Sequence, residues 1–291
     1  MVTLRAMTDA DVPDVVTLWD HAFQSMYARL GLPVSPATPV DVGRVGRLQN
    51  RIRHLRGTDP EGSWVAEEDG AIVGLSQSLV RDGYWVLSLL ATAPDFQGRG
   101  LGRELIERSL AIADRDGPGT IQASRDPAAL ALYTSSGFEL HPVVHAAGTV
   151  RPGSMRPDPR VHEADSGVIE LVDAIDRAVR DSRRGEDIRA MMREPGHRLL
   201  VVDDRGYAVV TDDRTVTLGA VDEEAATALL ETFLAGMSAD QRVQVMWLTA
   251  RQRWAIRTLV AAGVTLDVHG AVMVRGMPGL PVTYIPSGGY G

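Results

Sequence analysis

The run Tyr84 to Thr92 (YWVLSLLAT) is almost wholly apolar and leads, past Ala93-Pro94, into Gln97-Gly98-Arg99-Gly100-Leu101-Gly102 and a helical pattern. No other stretch restricts the fold as much. Turn residues bound the run at Arg81-Asp82-Gly83 and at Ala93-Pro94, so it suits a strand covered on both faces. Leu101, Leu105, Ile106, Ser109 and Leu110 then recur on one side of a helix reaching Ile112. A helix start carries unpaired N–H groups and partial positive charge, and glycines there let a phosphate approach the backbone closely. The spacing is not the dinucleotide GxGxxG pattern, which would need glycine at Arg103, and no Gly-Lys-Ser/Thr follows as in a P-loop.

The elements around this centre alternate. A strand is predicted at Val2 to Arg5, then a helix capped by Thr8 or Asp9 and carrying Val12, Val15, Val16, Leu18, Trp19 and Phe23. Gly31 to Pro39 interrupts. A second helix over Val40 to Leu55 bears Arg44, Arg47, Arg51 and Arg53, read as a solvated face. Strands Ser63 to Glu67 and Ala71 to Leu79 flank an Asp69-Gly70 hairpin turn. Beyond the glycine turn come a strand Thr120 to Ser124, a helix opened by Pro127, a cap at Gly137 and a strand Phe138 to His145. Ala146 to Asp165 is rich in Gly, Pro, Arg and Asp and reads as a linker. The rest repeats the first half's order of elements, with helices at Gly167 to Asp181, Glu223 to Leu234 and Gln252 to Ala262, which implies a duplicated domain.

Composition narrows the chemistry. All 30 basic residues are arginine, so Schiff-base lysine chemistry is excluded, and the absence of cysteine removes disulfides, thiolate metal sites and thiol nucleophiles. A net charge of -8, with acids outnumbering bases in both halves, speaks against a nucleic-acid partner. The N-terminal residues carry acids where a signal peptide would be basic, and no run approaches the roughly 18 apolar residues of a membrane span. A cytoplasmic protein with no membrane partner and no metal is expected.

The segment Leu90 to Gly102 (LATAPDFQGRGLG) resembles the acetyl-CoA motif of the GCN5-related N-acetyltransferases (GNAT), with Gln97, Gly100 and Gly102 in the core pattern. A second element of that family is matched by Ser124 to Tyr133 (SRDPAALALY) followed by Gly137-Phe138, in the family's order and at its separation. The resemblance implies an α/β (α+β) fold: two GNAT-like domains in tandem, each a mixed, twisted, largely antiparallel sheet flanked by helices. It places a catalytic domain at 1–148, a linker at 149–164 and a degenerate copy with a C-terminal tail at 165–291. It also implies an acetyl-CoA-dependent N-acetyltransferase. Leu90, Ala91 and Thr92 would bond the pantetheine arm. The amides of Gly98, Arg99, Gly100, Leu101, Gly102 and Arg103 would hold the pyrophosphate, with Gln97 of the motif, Asp126 and Ala129 also at the cofactor. Asp126 stands where the family usually has asparagine, so an acceptor-only side chain replaces an amide. Tyr133 takes the place of the family's tyrosine general acid.

Ser88 occupies the strand position where many relatives carry a carboxylate base; a hydroxyl there can hold a water but not take the proton itself. For the acceptor, a small-molecule amine or peptide N-terminus, Phe23, Met26, Tyr27, Trp85 and Ser124 are candidates, and the tail ending at Gly291 is a candidate to reach the cleft. In the second half the equivalent of the glycine turn reads Leu218 to Ala225 (LGAVDEEA), whose acids would repel a pyrophosphate. One working site, in a monomer or homodimer, is therefore expected. The alternative is an inactive acyl-CoA-binding sensor or scaffold, suggested by Ser88.

Overall fold

A computed structural model describes residues 1–32 and 42–291. The Gly31 to Pro39 interruption and the expected helix start at Val40 therefore lie largely outside the described residues. The first half runs β1 (Thr3–Ala6), α1 (Val12–Arg29), α2 (Val42–Thr58), β2 (Ser63–Glu68), β3 (Ala71–Arg81), β4 (Tyr84–Thr92), α3 (Leu101–Leu110), β5 (Gly119–Ala123), α4 (Pro127–Ser135) and β6 (Glu139–Thr149). The second repeats that order as β7 (Val161–Ala164), α5 (Ile169–Arg180), α6 (Gly185–Met192), β8 (Arg198–Val202), β9 (Gly206–Val210), β10 (Arg214–Ala220), α7 (Glu223–Ala235), β11 (Arg242–Leu248), α8 (Arg253–Ala261) and β12 (Thr265–Arg275), and adds β13 (Tyr284–Ile285). β6 extends four residues past the expected end at His145, and Val161–Ala164, read as part of the linker, pairs with β8.

All the strands belong to one sheet, in the order β1-β2-β3-β4-β5-β12-β6-β11-β10-β9-β8-β7, with β13 on β10. Every pairing is antiparallel except β4 with β5 and β10 with β11. The halves exchange their last long strands. β12 lies between β5 and β6, while β6 lies between β12 and β11.

Each face of the first half has its own core. Trp85, Leu87, Ile106, Ile121, Tyr133 and Phe138 pack together with Ala271 and Met273 of β12, on the side of α3 and α4. Val12, Val15, Leu48, Ile52, Leu75, Leu89 and Ala91 pack on the side of α1 and α2. A further cluster crosses the halves, joining Leu55, Leu79, Tyr84 and Val86 to Ile169, Ile188, Tyr207 and Tyr290. Polar groups bridge the same boundary. Arg81 makes ion pairs at 2.8 Å to Asp59 and to the fully buried Asp187, which also meets His54 at 2.9 Å. Burial opposes ionisation of Asp187, but the bonds from His54 and Arg81 outweigh it and hold its carboxyl below the usual range.

Arg51 departs from the solvated face expected of its helix. Its Nε is buried without a hydrogen-bond partner among the described residues, and its guanidinium packs against Gly289. The tail that covers it is ordered: Tyr284 to Ser287 and Gly289 to Gly291 are buried.

Candidate active site

Parallel strands β4 and β5 pair only from Trp85 to Leu87 with Gly119 to Ile121 and then part. The divergence begins where β4 gains a residue against β3: Gln77 faces Leu89 and Ser78 faces Leu87, leaving Ser88 as the extra residue of a β-bulge. A cleft of about 610 Å³ opens at this splay. Leu87 to Thr92 and Ile121 to Ser124 form its strand walls, Trp19, Ala22, Phe23 and Met26 of α1 close one side, and α4 contributes Asp126, Ala129, Leu132 and Tyr133 on the other.

The glycine turn lies at the mouth. Gly98 and Gly100 adopt φ of 74° and 89°, a left-handed conformation that a β-carbon disfavours, and Gly100 caps α3 in that state. Among the described residues, the amides of Gly98 to Gly102 have no backbone carbonyl partner, and residues 97 to 100 are exposed. Gln97 Nε2 donates to Thr92 O at 3.3 Å, tying the turn to the end of β4. A run of free N–H groups ahead of a ten-residue helix suits a phosphate. Arg103 lines the cleft here, whereas Arg99 stacks over Phe96, 5.3 Å from the ring centroid, outside the lining.

Tyr133 is buried and reaches the cleft wall from α4. Burial, reinforced by nearby Asp126, raises its phenol well above the ordinary value, so it holds its proton throughout the neutral range. Asp126 is already engaged: it accepts from Ala128 N as the helix cap and from Arg29 at 2.8 Å. Ser124 Oγ contacts Met26 S at 3.3 Å, placing both in the α1 side of the cleft with Phe23.

Three acceptor candidates fall elsewhere. Trp85 is fully buried on the α3 side, donates Nε1–H to Ser109 O at 2.9 Å and packs on Phe138, so the position read as substrate-facing is core. Tyr27 is half-buried on α1 and does not line the cleft. Gly291 packs against Val86 and accepts from Arg184 Nη1, also outside the lining. Sequence reasoning missed Gln122. It lines the cleft from β5, and both its amide atoms are buried without a partner, as is Ser88 Oγ. A polar residue between Ile121 and Ala123 in a buried strand was the available signal.

The second half has the same splay, closed by the chain itself. β10 pairs with β11 only at Arg214 and Thr215, and Val216 is the extra residue of its bulge, as Ser88 is in β4. β13 fills the gap, with Ile285 opposite Leu218 and Tyr284 opposite Gly219. Ala220 N donates to Thr283 O, Gln252 Nε2 to Pro281 O and Trp254 Nε1 to Val282 O. At the start of α7 the side chain of Asp222 accepts from Ala225 N, and Arg205 pairs with Asp222 and Glu224. A carboxylate cap thus occupies that helix start. Among the described residues, no group of three or more His, Asp or Glu side chains is placed to hold a metal ion, and no helix is long and apolar enough to cross a membrane.

Residues 33–138 match the model of the Acetyltransferase (GNAT) family. The match lies within the first half. A proposed acetyltransferase from Pyrococcus horikoshii has the same architecture along its length, with a TM-score of 0.77, 18% identity, and coverage of 100% of this chain and 96% of that one. A tandem GNAT protein from the clavulanic acid biosynthesis pathway superposes with a TM-score of 0.55 at 15% identity, covering 96% and 100%. A GCN5-related N-acetyltransferase from Anabaena variabilis gives 0.58 at 14% identity, covering 94% and 72%. At these identities the likeness concerns the fold, which is the tandem GNAT fold. None of the curated proteins matches the chain by sequence.

Proposed function

We propose that the chain is an acetyl-CoA-dependent N-acetyltransferase whose working cleft belongs to the first half, residues 1–148, with 165–291 a degenerate copy. The observation that carries the reading is the row of free amides from Gly98 to Gly102 at the mouth of a splayed cleft with Tyr133 in its wall. Those amides, with Arg103, would hold the pyrophosphate, and the main chain of Leu90 to Thr92 would hold the pantetheine arm along β4. Acetyl-CoA supplies an acetyl group activated as a thioester. The strand amides near Thr92 would polarise the thioester carbonyl. Tyr133, kept protonated by burial, would return a proton to the departing sulfur as the amine nitrogen takes the acyl carbon. Ser88, at the bulge, would hold the water that accepts the amine's proton. Direct transfer of this kind requires neither lysine nor cysteine.

The second reading, an acyl-CoA-binding sensor, draws on one observation: among the described lining residues the single carboxylate, Asp126, is committed to Arg29 and a helix cap. Thiol release from acetyl-CoA, followed across a panel of primary amines, separates the two. Amine-stimulated release is expected; tight acetyl-CoA binding without any stimulated release would favour the sensor.

A further inference from the structure

The α1-side wall of the cleft holds a primary amide that no group among the described residues satisfies. Ile121 and Ala123 pack among the α3 and α4 residues, so Gln122 between them projects to the opposite face. Ser124, two residues on and on that same face, contacts Met26 of α1. Both Nε2 and Oε1 of Gln122 are shut off from solvent and bond no group among the described residues. Buried polar side chains are rarely left so, and each orphan in a native fold calls for a partner. Ser88 Oγ is in the same condition in the same cleft.

The surroundings define what that partner is. Trp19, Phe23, Met26 and Leu89 make this end apolar. Among the described lining residues the charged ones lie elsewhere, Arg103 at the glycine turn and Asp126 paired to Arg29. A neutral amide offers one acceptor side and one donor side, and its complement is a second amide presenting N–H and C=O. A free carboxylate could accept only from Nε2, leaving Oε1 unpaired and its own charge without a cation, and a second ammonium could donate only to Oε1, leaving Nε2 unpaired and its charge without an anion.

We infer that Gln122 recognises an amide group on the acceptor, which makes the acceptor an apolar primary amine bearing a neutral amide, namely an amino-acid amide or peptide N-terminus. This deepens the proposed acetyl transfer and rests on it. The full-length chain is tested with acetyl-CoA and three acceptors of one aromatic skeleton: phenylalaninamide, phenylalanine and 2-phenylethylamine. The amide is expected to exceed the other two in kcat/KM by about 10- to 100-fold, mainly through KM. Gln122→Leu should raise KM for the amide and bring the ratio of amide to plain amine close to unity, with CoA affinity by calorimetry retained. Gln122→Met, closer in shape, should do the same if the leucine variant folds poorly. Equal use of the three acceptors by the unaltered protein would overturn the inference. So would a uniform loss for all three, or a weakened CoA isotherm, which would put Gln122 on the cosubstrate. If CoA binds but no amine is acetylated, the transfer reading fails by itself. Calorimetric binding of phenylalaninamide to the CoA-loaded protein, lost in Gln122→Leu, would then still support amide recognition, and its absence would sink it.

Discussion

In the proposed transfer Tyr133 and Gly100 carry roles that single substitutions can test. Replacing Tyr133 by phenylalanine keeps the buried ring and removes the proton, so kcat should fall by about 10²- to 10⁴-fold with little change in acetyl-CoA binding. Because burial raises the phenol's pKa, the unaltered protein's rate should show no loss from its ionisation up to about pH 10, its reference value. Rate profiles of both proteins against pH check this. Gly100→Val places a β-branched side chain at φ 89° and distorts the amide row, at about 1–2 kcal/mol from backbone strain alone. The measurable outcome is about a tenfold or greater rise in KM for acetyl-CoA. His145 gives a stability effect. Burial, then His269 stacked at 4.0 Å and Arg125, push its pKa down to about 3. A depressed folded value means the unfolded chain takes up the proton first, so this contribution is whole above about pH 6.5 and lost as pH falls toward 3. Melting temperatures at pH 7 and pH 5 should differ less in His145→Phe than in the parent. The places of Tyr133 and Gly100 in the cleft lining were legible because both belong to local sequence motifs. Gln122 stood out only as a polar residue between Ile121 and Ala123, since its orphaned state arises from what β5 faces across the cleft, and Trp85 misled because strand alternation alone does not say which face holds the acceptor.

Among the elements, β13 was the least legible. Tyr284-Ile285-Pro286 reads as a tail, and only tertiary pairing with β10 makes it a strand. Its position in the second splay, beside the carboxylate cap of α7, predicts one CoA site per chain by calorimetry. Deleting residues 283–291 removes the buried Tyr284 and Ile285 and should cost about 2–5 kcal/mol in chemical denaturation, the range for large core truncations. The CoA stoichiometry should stay at one, because Asp222, Glu223 and Glu224 still guard the helix start. A second CoA in the truncated chain would mean that the tail alone excludes it. By contrast β4, the glycine turn and α3 were read correctly, since burial on both faces, turn residues and helical spacing are all local signals. The arginine row on α2 was read as solvated because its spacing is that of an exposed face; Arg51 is covered by residues more than two hundred positions away.

On the scale of the whole molecule, the duplication was visible in the order of elements, and the exchange of strands was not. Periodicity assigns β6 and β12 as strands without saying which neighbours they choose. The exchange predicts that the halves cannot be separated. A chain ended at Val150 leaves β5 without β12 and exposes Ile121, Ala123 and Phe138, so it should be insoluble or aggregate in size-exclusion chromatography. A soluble, monomeric first half with full CoA affinity would contradict this. The polar seam should matter too: Asp187→Ala leaves Arg81 with Asp59 alone and takes from His54 its carboxylate partner, and should lower stability by about 1–3 kcal/mol in denaturant titration.

The reciprocal placing of β6 and β12 also bears on descent. Two single-copy chains that traded their final strands as a symmetric pair would give this sheet once a connector joined them end to end. After such a fusion the second copy is free to lose its own chemistry but not its fold, because its last strand is the neighbour on which the first copy's β5 rests. Selection for the proposed cleft would thus extend into a half of the chain whose own splay is filled by β13.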